Sequence, residues 1–185
     1  PPPAAPAFTW HFSLCAPDPA ADPTYITLSG LTNDNDFSSP DGLAFTRSTG
    51  LCWIQTDDGA YTDVTNCMLL ASVPGTVGDG EAKTLSYPGG VNVTTRMGRK
   101  PTASTLKRFY VGPFDSEVTG LCETPDGKTI FINVQHPGDG TAAADLADPS
   151  QYTSRWPSNV GYGAGQRPRS ATVVITKNNG QRVGT

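Results

Sequence analysis

Short runs of alternating apolar and polar residues, each closed by a glycine or proline turn, set the character of this chain. The clearest lies at 115–135, DSEVTGLCETPDGKTIFINVQ. Val118, Leu121 and Cys122 are apolar positions of a first strand. Thr124, Pro125, Asp126 and Gly127 then reverse the chain, with proline fixing φ and glycine taking the positive-φ position. Ile130, Ile132 and Val134 alternate with Phe131, Asn133 and Gln135, which is the period of a strand. The result is a β-hairpin with the carboxylate of Glu117 at its opening. The layout recurs at 41–56: Asp41 opens GLAF, RSTG turns at 47–50, and LCWIQT follows. Acid, strand, glycine-closed turn and strand read as one repeated unit.

Around these hairpins the pattern predicts further short strands. FTWHFSLC at 8–15 alternates aromatic and polar residues, 24–28 is a short strand within a turn-rich stretch, and CMLLAS at 67–72 is a third strand for the first unit. TLKRFYV at 105–111 leads into the second hairpin. At the end, 171–177 and 181–183 flank Asn178, Asn179 and Gly180, a strong hairpin turn. Trp53, Phe45, Phe131 and Ile132 are the expected core. Residues 74–104 are glycine-punctuated, show no period, and read as a surface loop insertion too long for an ordinary connection. No helical run is convincing; 141–146 suits a single turn.

Short antiparallel strands in sets, each set opening on an acid, describe β-propeller blades. The expected fold class is therefore all-β, a partial β-propeller of about two blades plus closing strands. About two blades cannot close a ring, and their open edges call for another polypeptide to complete them.

Composition narrows the class. With 20 glycines, 17 prolines, 16% charged residues and a net charge of −4, the chain favours strands and loops. It offers neither nucleic acid nor membrane a partner surface: it has no basic run, no arginine stripe and no apolar stretch of transmembrane length. Residues 1–8, PPPAAPAF, have neither a positive region nor an apolar run, and read as the cut end of a longer polypeptide. The four cysteines form no CxxC pair, which argues against a zinc site and permits two disulfides, Cys52 with Cys67 first among the pairings. The sequon at Asn92, with these cysteines, tilts the reading towards a secreted glycoprotein.

Asp41 and Glu117 stand out chemically because each opens an inner strand, where a propeller axis gathers side chains from several blades. Their oxygens suit calcium or ferric iron. Asp41, following proline, is equally a turn residue. His136 directly follows a strand and can face metal or phosphate, or simply bond to the backbone; Asp139 in HPGDG is open in the same way. Arg167 and Arg169 can fork a phosphate or anchor a loop to carbonyls. Asp57 and Asp58 read as turn residues. Ser38, Ser39 and Ser170 sit in no nucleophile elbow, and His11 and His136 are the only histidines. A hydrolytic chain of this kind needs a metal-activated water.

These segments resemble the PhoX-type alkaline phosphatases, secreted β-propeller enzymes. The likeness is carried by 8–12 with LCAPDP, FSSPDGLAF (37–45), WIQTD (53–57), VGPFDSEVTGL (111–121), TPDGKTIFINVQHPGDG (124–140) and RPRSATVVITKNNG (167–180). It implies that residues 1–185 are the carboxy-terminal third of one propeller domain, and that the rest of the propeller, from the same precursor, is its partner. It implies iron and calcium at one mouth of the propeller, phosphate monoesters as substrates, and Asp41 and Glu117 among the metal ligands. His136, Arg167 and Arg169 would hold substrate. The family's iron-binding cysteine and several carboxylates belong to the amino-terminal part, and none of the four cysteines here falls at a family ligand motif. Asp115 and Ser116 stand where the family usually has small residues, which keeps open a second reading: a non-catalytic extracellular propeller module for binding or assembly.

Overall fold

The computed structural model describes residues 7, 10–16, 30–32, 34–58, 65–74, 79–158 and 167–185. Among them the chain is all-β, with no α-helix and two short 3-10 turns at Ala143–Asp145 and Pro149–Gln151.

The first repeat hairpin is β1 (Pro40–Phe45) and β2 (Cys52–Thr56). Its turn closes through Gly50, at φ 71°, whose N–H donates to Thr46 O at 2.9 Å. After β3 (Met68–Ser72) the chain projects a separate hairpin, β4 (Asp79–Tyr87) and β5 (Val91–Gly98). It then returns as β6 (Leu106–Val111) to pair with β3, completing a four-stranded antiparallel sheet in the order β1-β2-β3-β6. The second repeat hairpin, β7 (Glu117–Glu123) and β8 (Thr129–Gln135), is extended by β9 (Ala171–Thr176) into a three-stranded sheet.

Period-2 alternation decides what each sheet buries. Trp53, Cys67 and Leu69 of the first sheet meet Val118, Ile130 and Ile132 of the second in one apolar layer. On its other face, the first sheet packs Ile54, Met68, Leu70 and Leu106 with Phe37, covered in part by Leu14, Ala16 and Leu31. The outer flanks stay open. Leu43 and Phe45 share register rows with Ile54 and Cys52, yet both are 67% exposed. On the far side, Val174 of the row Cys122–Phe131–Val174 is 58% exposed. The two sheets are not closed into a ring.

Several sequence expectations change here. Phe45 is exposed because nothing in the described residues covers its face, whereas Trp53 and Ile132 are core and Phe131 is half-buried. Residues 10–16 form no strand, and the expected strand at 24–28 lies outside the described residues. The periodless insertion holds the β4–β5 hairpin, turned by Gly89 and Gly90 at φ 82° and 78°. Both its faces meet solvent, so no apolar alternation was required. The strand at 105–111 belongs to the first sheet. Residues 181–183 do not pair with β9. Instead Val183 N–H donates to Gly127 O at 3.0 Å and its side chain enters the apolar layer. No disulfide joins any of the four cysteines. Cys52 sits opposite Ser72, while Cys67 precedes Met68 at the other end of the strand pair, beyond disulfide reach.

The two repeats are tied at their turn ends by Glu123. Its Oε1 accepts the amides of Arg47 and Ser48, and its Oε2 accepts Ser48 Oγ at 2.6 Å. Burial opposes the charge, but these hydrogen bonds outweigh it and hold the Glu123 pKa below the usual carboxylate value. A carboxyl depressed by folding stabilises the native state above its unfolded pKa and loses that contribution as pH falls through its folded pKa. Glu123→Gln is thus expected to lower neutral-pH stability by about 1–2 kcal/mol, with the gap to wild type closing in acid. Urea denaturation at both pH values checks this.

Candidate metal and phosphate site

Strand direction alone assembles the site. β1 and β7 begin at the same end of the stacked sheets, and their antiparallel partners β2 and β8 finish there. Asp41 and Glu117 therefore meet the residues just past those partners, Asp57 and His136. A β-bulge between Pro40 and Gly42 sets Asp41 out of the regular ladder.

Glu117 is only 6% exposed. Its carboxyl pKa is pushed up first by burial, then by the charges of Asp57 and Asp41 and by a hydrogen bond with Asp41; His136 partly offsets this. His136 Nε2 lies 3.5 Å from Glu117 Oε2. The end of the molecule that carries both repeat-opening acids is thus a cluster of like charge around one buried carboxyl.

His136 is placed by its loop. It adopts φ 37°, a left-handed conformation uncommon outside glycine, and its N–H donates to Ser170 Oγ at 2.9 Å. Asp115, also left-handed at φ 57°, pins the following HPGDG segment. Its carbonyl accepts Gly138 N–H at 2.8 Å, and its Oδ2 accepts Gly140 N–H at 2.5 Å and Thr153 Oγ1 at 2.6 Å. A side chain at residue 140 would press on that carboxylate, with a Cβ 2.8 Å from Oδ2. Asp115 thus organises the loop.

A cleft of about 260 Å³ opens beside His136, lined also by Asp139, Tyr152, Arg167 and Ser170. Arg167 Nη2 donates to Leu146 O at 3.3 Å, and Tyr152 Oη donates to the same carbonyl at 3.0 Å. Arg167 therefore anchors the loop while bordering the cleft. Arg169 lies outside this lining; its backbone N–H donates to Trp156 O at 3.2 Å. The structure brings Asp41, Glu117 and His136 together and sets Arg167 in the cleft beside His136. Asp57, read from sequence as a turn residue, belongs to the cluster through its charge on Glu117. Its place just past the end of β2, beside the opening of β1, was the available signal. Asp58 is a structural anchor, accepting Ser38 Oγ at 2.7 Å and Ser38 N–H at 3.2 Å. Among the described residues, no three His, Cys, Asp or Glu side chains converge tightly enough to hold a metal ion.

Unclosed antiparallel sheets with acids gathered at one strand end define a partial propeller-type protein. Its sequence is specific enough to go further: the alkaline phosphatase PhoX family profile matches residues 3–138, and the chain belongs to that family. Among solved structures it is similar to Pseudomonas fluorescens PhoX in complex with vanadate, a transition state analogue, with 30% identity and a TM-score of 0.56. That likeness covers 85% of this chain but 21% of the other, so the chain spans about a fifth of the length of that relative. No curated protein matches it significantly.

A carboxyl whose folded pKa is raised has the opposite linkage to Glu123. It stays protonated in the native state after the unfolded chain has ionised, so stability falls as pH rises from the unfolded pKa to the folded one. In chelator-treated protein, Glu117→Gln is expected to remove that fall and to be more stable than wild type at neutral pH. Urea midpoints between about pH 4 and pH 8 give the comparison.

Proposed function

We propose that this chain is part of a secreted, metal-dependent phosphatase that hydrolyses phosphate monoesters and releases inorganic phosphate. The carrying observation is Glu117, a buried carboxyl crowded by two other acids with only a histidine to offset them. Such an arrangement is unfavourable without a cation and becomes favourable with one. The donor set fits hard cations by its chemistry, since three carboxylates supply oxygens suited to calcium and ferric iron. Asp41 and Glu117 would hold iron or calcium, with Asp57 adding charge, and the remaining ligands would come from the rest of the propeller.

When bound, the cations supply Lewis-acid stabilisation of phosphate oxygens and a water activated for attack. This chain's own residues do the rest. His136 Nε2 orients Glu117, and the cleft beside His136 accepts the phosphate end of the substrate. Arg167 sits at its wall and can turn from the Leu146 carbonyl to a phosphate oxygen in a charge-assisted bond. Arg169, two residues along the same segment, is a second candidate for holding substrate.

The partner is the remaining propeller polypeptide. The flanks bearing Leu43 and Phe45 on one side and Val174 on the other are where preceding and following blades would pack. Secretion fits the exposed sequon at Asn92 on β5, and among the described residues no helix is long and apolar enough to cross a membrane. A second reading, a non-catalytic propeller module, draws on the lack of a closed three-ligand group among the described residues.

Two outcomes are expected. In the full-length protein, Glu117→Gln should lose most p-nitrophenyl phosphate turnover together with bound iron or calcium, while Glu123→Gln keeps both under conditions where it stays folded. Equal losses in the two variants would favour the non-catalytic reading. Expressed alone, residues 1–185 should aggregate or remain largely unfolded; size-exclusion chromatography showing a monodisperse, cooperatively melting monomer would contradict the partner assignment.

A further inference from the structure

Two buried side-chain nitrogens among the described residues have no hydrogen-bond partner, Gln55 Nε2 and His136 Nδ1. His136 belongs to the site already described. Gln55 has no role in it so far.

Gln55 is 3% exposed, in the middle of an otherwise apolar row. On β2 it sits opposite Gly42 of β1 and Leu69 of β3. Strand alternation puts Trp53, Gln55 and Asp57 on one face of β2, the face that packs on β7. The amide therefore lies one step below Asp57, at the acid end of the layer shared by the two sheets. Room for it depends on glycine: a Cβ on residue 42 would stand 2.6 Å from Gln55 Oε1. An apolar side chain would fill this row without leaving a donor unpaired. Buried amide donors are ordinarily paired, so an unpaired one points to an acceptor that arrives in another state of the site. The layer beneath is apolar, and the acceptors at this end include the oxygens of Asp41, Asp57 and Glu117.

We propose that Gln55 is a positioning residue of the acid site. Its free N–H is the donor for a carboxylate oxygen of the Asp41–Asp57–Glu117 cluster once a cation draws these acids out of their present mutual contact. Outer hydrogen bonds of this kind fix the direction of a ligating carboxylate and commonly change cation affinity 10- to 100-fold, as an order of magnitude. The inference rests on the reading of the cluster as a cation site and adds a residue that this reading does not require.

The test uses the full-length protein, stripped with chelator, with terbium ion as a luminescent probe of an oxygen-ligated site. Gln55→Met keeps the length of the side chain and removes the donor; Gln55→Leu is the second variant. Both should melt, metal-free, at or above the wild-type temperature, because Nε2 makes no bond there, while terbium affinity falls about tenfold or more. Wild-type terbium affinity in both variants would overturn the role of Gln55 and leave the cation site standing. A lower metal-free melting temperature, with or without weaker terbium binding, would also overturn it, since packing alone would explain that result. Failure of the wild type to bind terbium would bring down the cation reading itself, and the inference with it.

Discussion

One apolar layer, shared by two sheets, fixes the geometry of everything else in this chain. Trp53 and Leu69 on one side and Val118, Ile130 and Ile132 on the other can interlock in only one register, because a one-residue slip would turn each strand's apolar set outward. Once that register is set, the repeat hairpins point the same way and their ends acquire opposite characters. At the turn end, Glu123 accepts from Ser48 and the Arg47 amide, Arg182 Nη1 donates to Ser48 O at 3.4 Å, and Gly127 lies so close that a Cβ there would stand 2.3 Å from Ser48 Cβ. At the other end, Asp41, Asp57 and Glu117 repel one another. The layer and the turn-end hydrogen bonds oppose that repulsion, and the acids stay together without gaining stability from it.

This division of labour sets the acids of the candidate site on a rigid support. The acids sit at strand openings, where the backbone is held by ladder bonds, while His136 and the cleft beside it sit on a loop held by Asp115. Asp115 and His136 both adopt left-handed backbone conformations. Strain of that sort persists when surrounding contacts over-determine it. Here the contacts are those of Gly138, Gly140, Thr153 and Ser170. Membership of the PhoX family gives the arrangement a phosphatase context, and the chain spans about a fifth of the length of its solved relative.

The repeat was legible in sequence because two kinds of signal agreed: period-2 apolar residues and a turn glycine in each hairpin. That Asp41 and Glu117 share one end of the stacked sheets is legible because each opens a repeat hairpin. What failed to show depended on contacts beyond the local pattern. The β4–β5 hairpin hides because neither face needs to be apolar. Phe45 read as core because its apolarity is real, but its cover is not among the described residues. The close of the chain departs from its local hairpin pattern because Val183 finds its place across the Thr124–Gly127 turn rather than beside β9. Asp57 looked like any acid after a strand, and only the stacking of the sheets puts it against Glu117. The cysteine pairing failed for a simple reason of register: antiparallel neighbours need not be opposite one another.

The central claim is that Glu117 and Asp41 face a cation. Anomalous X-ray scattering from crystals of the full-length protein, collected to locate iron and calcium, tests it most directly. The account predicts a cation with oxygens of both Glu117 and Asp41 within about 2.6 Å. Cations found only elsewhere, with Glu117 bonded solely to protein groups, would contradict it.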